Sequence, residues 1–297
     1  MTSAHCSPKG FSAFQPPQAD HFYREGDGLR RIIPCPGDTL RFGEGITPAS
    51  LTLVREDDDL FFMTENRQYV MVPRWFDGLP LAQIQFADGT LWRPETIATM
   101  NIIILGSEHD DILTGGVGRN AIHGGAGNDI LHDIEGDNIL LGGDGDDLIS
   151  GRGTIDGGRG NDEIIAAGDA GDNLYLYARG DGSDCLHVMG DGDQYGPRGT
   201  LDIEDVDSTQ LWLRRDGHHL EITVLGSADG VVVADWYVSA ENQLRDIVAG
   251  DGKQLTHDRV TALVQAMSAF SAPDPAAAMA DPARAQALAQ AMSVAWQ

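Results

Sequence analysis

Asp111, Asp129 and Asp147 stand eighteen residues apart, and Asp162 follows after fifteen. Each closes a glycine-rich hexapeptide and precedes a short apolar stretch. Evenly repeated carboxylates are hard anionic oxygen donors, and the chemistry they suit is binding of a hard divalent cation. Calcium takes roughly six to eight oxygens, mixing carboxylates with carbonyls. One short turn cannot supply so many, so each ion belongs between two stacked turns.

The residues around these aspartates fall into rows of nine: GSEHDDILT (106–114), GGVGRNAIH (115–123), GGAGNDILH (124–132), DIEGDNILL (133–141) and GGDGDDLIS (142–150). A short row GRGTID (151–156), a full row GGRGNDEII (157–165) and a degenerate row GDAGDNLYL (168–176) follow. The pattern G-G-x-G-x-D-x-U-x is that of parallel β-rolls that bind calcium. Eighth positions are apolar throughout: Leu113, Ile122, Leu131, Leu140, Ile149, Ile155, Ile164 and Tyr175. A flexible glycine linker would not place an apolar side chain in every row.

Consecutive rows alternate edges of such a roll, so same-edge turns recur every second row. Asp111, Asp129, Asp147 and Asp162 then share one edge, and Asn120, Asn138 and Asn173 the other. The expectation is a lopsided roll with up to three calcium ions on the Asp edge. Its candidate ligands are those four aspartates with Gly124, Ala126, Gly142, Asp144 and Gly157. A neutral amide offers no charge to offset dehydration of the ion, so the Asn edge binds weakly or stays empty. The alternative is a symmetric roll in which Asp137 and Asp172 rescue the second edge.

The chain carries 46 acidic against 20 basic residues in 297, a formal charge of -26, which excludes nucleic acid and anionic membranes as partners. Within 106–165 only Arg119, Arg152 and Arg159 oppose the carboxylates. One aliphatic residue per row buries little surface against chain entropy. Metal binding free energy then becomes folding free energy. Cys6, Cys35 and Cys185 are odd in number and lack CxxC pairing, so they form neither a disulfide framework nor a zinc signature. No apolar run serves as a signal-peptide core in the first twenty residues, and no stretch of about 18 apolar residues spans a membrane as a helix.

Residues 20–100 and 175–264 read as two copies of one module. HFYREGDG (21–28) parallels YLYARGDG (175–182), Thr39–Phe42 parallels Thr200–Ile203, and Trp75-Phe76 matches Trp236-Tyr237. Period-two alternation broken by Asp-Gly turns predicts short antiparallel strands or hairpins. The Trp-aromatic pairs fit a buried core better than a carbohydrate platform.

The nonapeptides resemble those of RTX (repeats-in-toxin) proteins, secreted and calcium-binding. The flanks resemble the haemolysin-type calcium-binding related domain, whose pattern YxFxxGDGxD appears at Tyr175, Tyr177, Gly180, Asp181, Gly182 and Asp184. The first copy departs from it, with His21 for the first aromatic and Arg30 for the final Asp. The resemblance implies type I export through an uncleaved C-terminal segment and an extracellular location. Val260, Leu263, Val264, Met267 and Phe270 form a helical stripe, followed by an Ala-rich tail ending Ala295-Trp296-Gln297. That tail resembles an export signal; a helix docked on the second module is the alternative.

No HExxH helix and no GxSxG elbow occurs, and His218-His219 reads as solvated surface. The expectation is an all-β, non-enzymatic chain: a parallel β-roll flanked by two small β-rich modules, with a short helical tail. Its divisions are an irregular segment 1–20, a first module 21–100, the roll 101–174, a second module 175–264 and the tail 265–297. Partners are calcium and the type I secretion machinery. An adhesin or matrix module binding carbohydrate or host protein, and an accessory folding domain of a larger toxin or enzyme, are the alternatives. Outward-facing Ile112, Ile130, Ile139 and Leu148 hint at a covered face.

Overall fold

The computed structural model describes residues 18–78, 80–166, 173–188, 197–268 and 282–297. They divide between Leu105 and Gly106 into two compact units.

The first unit holds β1 (Asp20–Tyr23), β2 (Arg30–Arg31), β3 (Thr39–Phe42), β4 (Leu51–Glu56), β5 (Asp59–Thr64), β6 (Tyr69–Val72), β7 (Gln83–Gln85), β8 (Leu91–Trp92), α1 (Pro94–Ile97) and β9 (Ile103–Leu105). β1, β3 and β7 stack in parallel, as do β2 and β6, while β4, β5 and β6 form an antiparallel meander. The alternation of the sequence sends Leu60, Phe62, Val70 and Val72 inward, where Phe62 meets Trp75 edge-on.

The second unit starts with β10 (Ile112–Thr114), β11 (Ala121–Ala126), β12 (Ile130–Asp144), β13 (Leu148–Arg159) and β14 (Glu163–Ala166). β15 (Leu174–Tyr177), β16 (Ser183–Val188), β17 (Thr200–Ile203), β18 (Leu211–Asp216), β19 (His219–Val224), β20 (Gly230–Val233), β21 (Asp246–Ala249) and β22 (Gln254–Thr256) follow, then α2 (His257–Ser268) and α3 (Pro282–Ala295). Parallel pairing brings Leu113, Leu131, Ile149, Ile164, Leu186 and Val233 into one column. Ile122, Leu140, Ile155, Tyr175, Leu201 and Ile247 form the other. The eighth-position rule thus builds the core, since all but Leu113 are buried.

The flanks differ from the antiparallel expectation in one respect. The hairpin β18–β19 and its partner β20 are antiparallel, but β15, β16, β17, β20 and β21 pair in parallel and continue the roll. Their inward residues extend the same two apolar columns, so a parallel ladder buries them without a break at 174. Duplication of the module is visible in its bonds. Tyr23 donates its hydroxyl to the Gly28 carbonyl at 2.5 Å, and Tyr177 to Gly182 at 2.6 Å. Arg55 lies over Phe76 at 4.5 Å and Arg215 over Tyr237 at 4.4 Å.

The stripe of α2 is buried through Val260, Leu263, Val264 and Met267; Phe270 lies outside the described residues. Trp296 is buried, and Gln297 exchanges both backbone hydrogen bonds with Gln254. Ile112, Ile130 and Ile139 are exposed, whereas Leu148 is half-buried. Among the described residues no helix is long and apolar enough to cross a membrane.

Candidate metal centre

Register sets the Asp edge. The backbone N–H of Asp111 donates to Asp129 Oδ1 at 2.8 Å, Asp129 to Asp147 at 2.7 Å, and Asp147 to Asp162 at 2.8 Å. The three-residue deletion in row 151–156 therefore leaves Asp162 on this edge, as its spacing predicts. One oxygen each of Asp129, Asp147 and Asp162 is consumed by this ladder. A parallel ladder outside it links Asp110, Asn128, Asp146 and Asn161 through their side-chain oxygens.

The second oxygens have no such use. Oδ2 of Asp129, Asp147 and Asp162 is buried without a hydrogen-bond partner, and these residues are only 1%, 3% and 2% exposed. A buried charged oxygen left unpaired is costly, and a cation is what offsets it. Burial, reinforced by neighbouring carboxylates, raises the pKa of Asp129, takes Asp147 to about 6 and Asp162 to about 7.

Glycines keep the space open. A methyl group on Gly124 would collide with Asp129 Oδ2 and the Gly142 carbonyl oxygen, and one on Gly142 with Asp147 Oδ2 and the Gly157 carbonyl oxygen. One on Gly157 would strike the Asp162 carboxylate. A carboxylate oxygen and a carbonyl oxygen of the next turn thus converge on Gly124 and on Gly142. Among the described residues no three His, Cys, Asp or Glu side chains gather at one point. The donor set is therefore one carboxylate per turn plus carbonyls, all hard oxygens, which fits calcium and not a soft metal.

Three sequence-derived ligands behave differently. Asp111 Oδ2 accepts from the Ser107 N–H at 2.6 Å and the Ser107 hydroxyl at 2.8 Å, because Ser107 stands where the other Asp-edge turns carry a second glycine. The Asp144 carbonyl accepts from Gly127 N–H at 2.9 Å and its side chain faces Arg159, while Ala126 pairs with Asp144 in the ladder.

The Asn edge repeats the backbone register, and among the described residues it leaves no buried side-chain oxygen without a partner. Asn120 N–H donates to Asn138 Oδ1, and Gly153 N–H to Asn173 Oδ1, both at 2.9 Å. The amide nitrogens turn inward. Asn120 Nδ2 donates to the carbonyls of Gly116 and Gly118 and to Asp133 Oδ2, and Asn138 Nδ2 to the carbonyls of Asp133 and Glu135. These N–H groups meet turn carbonyls as a cation would. Asp137, on which the symmetric alternative relies, is exposed and paired with Arg119 at 2.6 Å. Asp172 lies outside the described residues.

Two carboxylates stand outside the sequence-derived ligand set, Asp133 unnoticed and Asp184 named only within the calcium-binding-related pattern. Asp133, at a first position, is buried, and Asp184, 4% exposed, accepts from Asp162 N–H at 3.0 Å. Burial, with Asp162 and Asp181 nearby, takes Asp184 to about 8. Its signal was the run GDGSD at 180–184, which keeps glycines at second and fourth positions and Asp at the sixth. Trp75 and Trp236 are buried, so they form core and offer no carbohydrate platform.

Residues 105–132 and 134–154 match the family model described as RTX calcium-binding nonapeptide repeat (4 copies). The middle of the chain is therefore an RTX-type, calcium-binding β-roll. Among solved structures the chain is similar to the extracellular lipase LipA from Serratia marcescens, at 14% identity and a TM-score of 0.29, over 76% of this chain. The chain spans 37% of that lipase. At that score the likeness carries nothing about fold or activity.

Proposed function

We propose that this is a secreted, non-enzymatic protein whose roll folds when calcium fills the Asp edge after type I export. The observation that carries the reading is the set of buried, unpartnered oxygens on Asp129, Asp147 and Asp162. Calcium supplies the charge that lets these carboxylates stay ionised and stacked. The protein's own part is to align one oxygen per rung by the N–H ladder and to leave room at Gly124, Gly142 and Gly157. On the Asn edge amide N–H groups already bind the turn carbonyls, so calcium goes to one edge only.

Weak sites of the extracellular class fill at roughly 10⁻⁴–10⁻³ M calcium, well above cytosolic levels. The chain then stays loose and exportable inside and folds outside, which fits the tail's resemblance to an export signal. The absence of HExxH and GxSxG patterns supports a non-enzymatic role. A calcium titration followed by far-ultraviolet circular dichroism tests the reading. Folding should come in the range of about 10⁻⁴–10⁻³ M; a chain already folded at cytosolic calcium would contradict it.

A further inference from the structure

The first unit carries a groove outside the matched repeats. Register puts Phe22 of β1 opposite Arg41 of β3, and Arg41 opposite Gln85 of β7. Alternation turns Tyr23, Phe42 and Phe86 into the core, so the row Phe22, Arg41 and Gln85 faces outward. Phe22 is 53% exposed. A single exposed ring is ordinary, but this one lines a groove of about 720 Å³, the size of a small-ligand site.

The remaining lining selects a class of ligand. Arg24 and Arg41 are matched by Glu25 and Glu44, so neither sign of charge is in excess. Arg41 already meets Asp20 at 3.0 Å, and Glu25 accepts from Asn66 Nδ2 at 3.3 Å. A charged ligand gains little there, and a polyanion is repelled by the net charge of -26. Guanidinium donors, carboxylate acceptors and the two-sided amide of Gln85 suit a ligand whose neighbouring hydroxyls both donate and accept. The negative π face of Phe22 suits the C–H bonds on the apolar face of a sugar ring. We propose that this groove binds a neutral oligosaccharide, stacked on Phe22 and held by Arg24, Arg41 and Gln85.

The duplicated module offers a control. Leu176, Asp202 and Val248 stand in the same row of the second copy, without ring, guanidinium or amide. Ala178 stands there for Arg24 and Glu204 for Gly43, as the matching turn bonds show. Gly43 leaves room for Arg24 to lie along the groove, since a Cβ on it would come within 2.9 Å of Arg24 Cγ.

Native electrophoresis of the full chain in calcium, through gels containing laminarin, dextran or glucomannan, tests the site, with acidic alginate as the contrast. At least one neutral polysaccharide should retard the protein. Phe22→Leu, which installs the residue of the second copy, should weaken that retardation at least tenfold. Val238→Ala, at an exposed aliphatic side chain of the second unit, should leave it unchanged. Retardation by none of the three, by alginate alone, or equally in Phe22→Leu overturns the proposal. Should the leucine variant lose the circular dichroism spectrum of the parent, Gln85→Ala decides by the same criterion. None of these outcomes depends on which edge of the roll holds calcium.

Discussion

The backbone N–H of Asp147 donates to Oδ1 of Asp162 at 2.8 Å across fifteen residues, while Asp129 reaches Asp147 at 2.7 Å across eighteen. Loss of three residues in the intervening row therefore falls wholly on the Asn edge, where the row offers no sixth-position side chain. The Asp edge keeps an unbroken column. Selection of one edge for charge follows from that register.

Asp147→Asn should make the roll less dependent on calcium. Asn138 already shows what an amide does in such a turn, donating to the carbonyls of Asp133 and Glu135. Replacing an unpartnered buried carboxylate oxygen by a donor should stabilise the chelated protein by about 1–3 kcal/mol. It should also reduce the number of bound ions. Thermal melts in chelator check it; a variant melting below the parent there would contradict the account.

Gly142→Ala acts on the space instead of the charge. Its methyl would collide with Asp147 Oδ2 and the Gly157 carbonyl. Overpacking of this kind costs about 1–3 kcal/mol. Calcium affinity, measured by calorimetry, should fall with stability; unchanged affinity would mean that the ion does not sit at this cradle.

Acid should act oppositely on the metal-free and loaded forms. Burial and neighbouring carboxylates hold Asp147 near 6, Asp162 near 7 and Asp184 near 8. Groups raised in this way bind more protons folded than unfolded. Their contribution is full below about pH 4, the ordinary carboxylate value, and is lost as pH climbs through 6 to 8. Chelated protein should melt higher at pH 5 than at pH 8. Loaded protein should lose calcium over the same fall, because protons compete for the oxygens. Scanning calorimetry in chelator at both pH values gives the sign, and a higher melting temperature at pH 8 would contradict it.

Trp236→Ala should cost about 3–5 kcal/mol, the usual loss for a large buried aromatic. Arg215→Ala, which removes an exposed guanidinium from over Tyr237, should cost about 0.5–1 kcal/mol. Urea unfolding in calcium separates the two. Near-equal losses would mean that the aromatic pair is not core.

The roll was legible because its period is written in few residue types: glycine at most cradles, Asp or Asn at the rungs, an apolar residue at each eighth position. The split between Asp and Asn edges was legible for the same reason, since register is fixed by counting. Three features were not. Ser107 satisfies Asp111 through a local bond that no repeat pattern encodes. Asp133 replaces a first-position glycine, and its acceptance of Asn120 depends on folding across the turn. The row at 179–187 was left out of the count because Arg179 stands at its first position and two extra residues, 177–178, follow row 168–176. For the same reason the second module read as separate hairpins, although β15, β16 and β17 carry the parallel ladder onward.

Thermal unfolding followed by far-ultraviolet circular dichroism, in calcium and in excess chelator, tests most directly whether the stacked carboxylates need a cation. The account predicts a β-rich spectrum with a cooperative melt in calcium, and in chelator a weakened spectrum with a broader melt at a much lower temperature. Matching spectra and matching melts in the two conditions would contradict it.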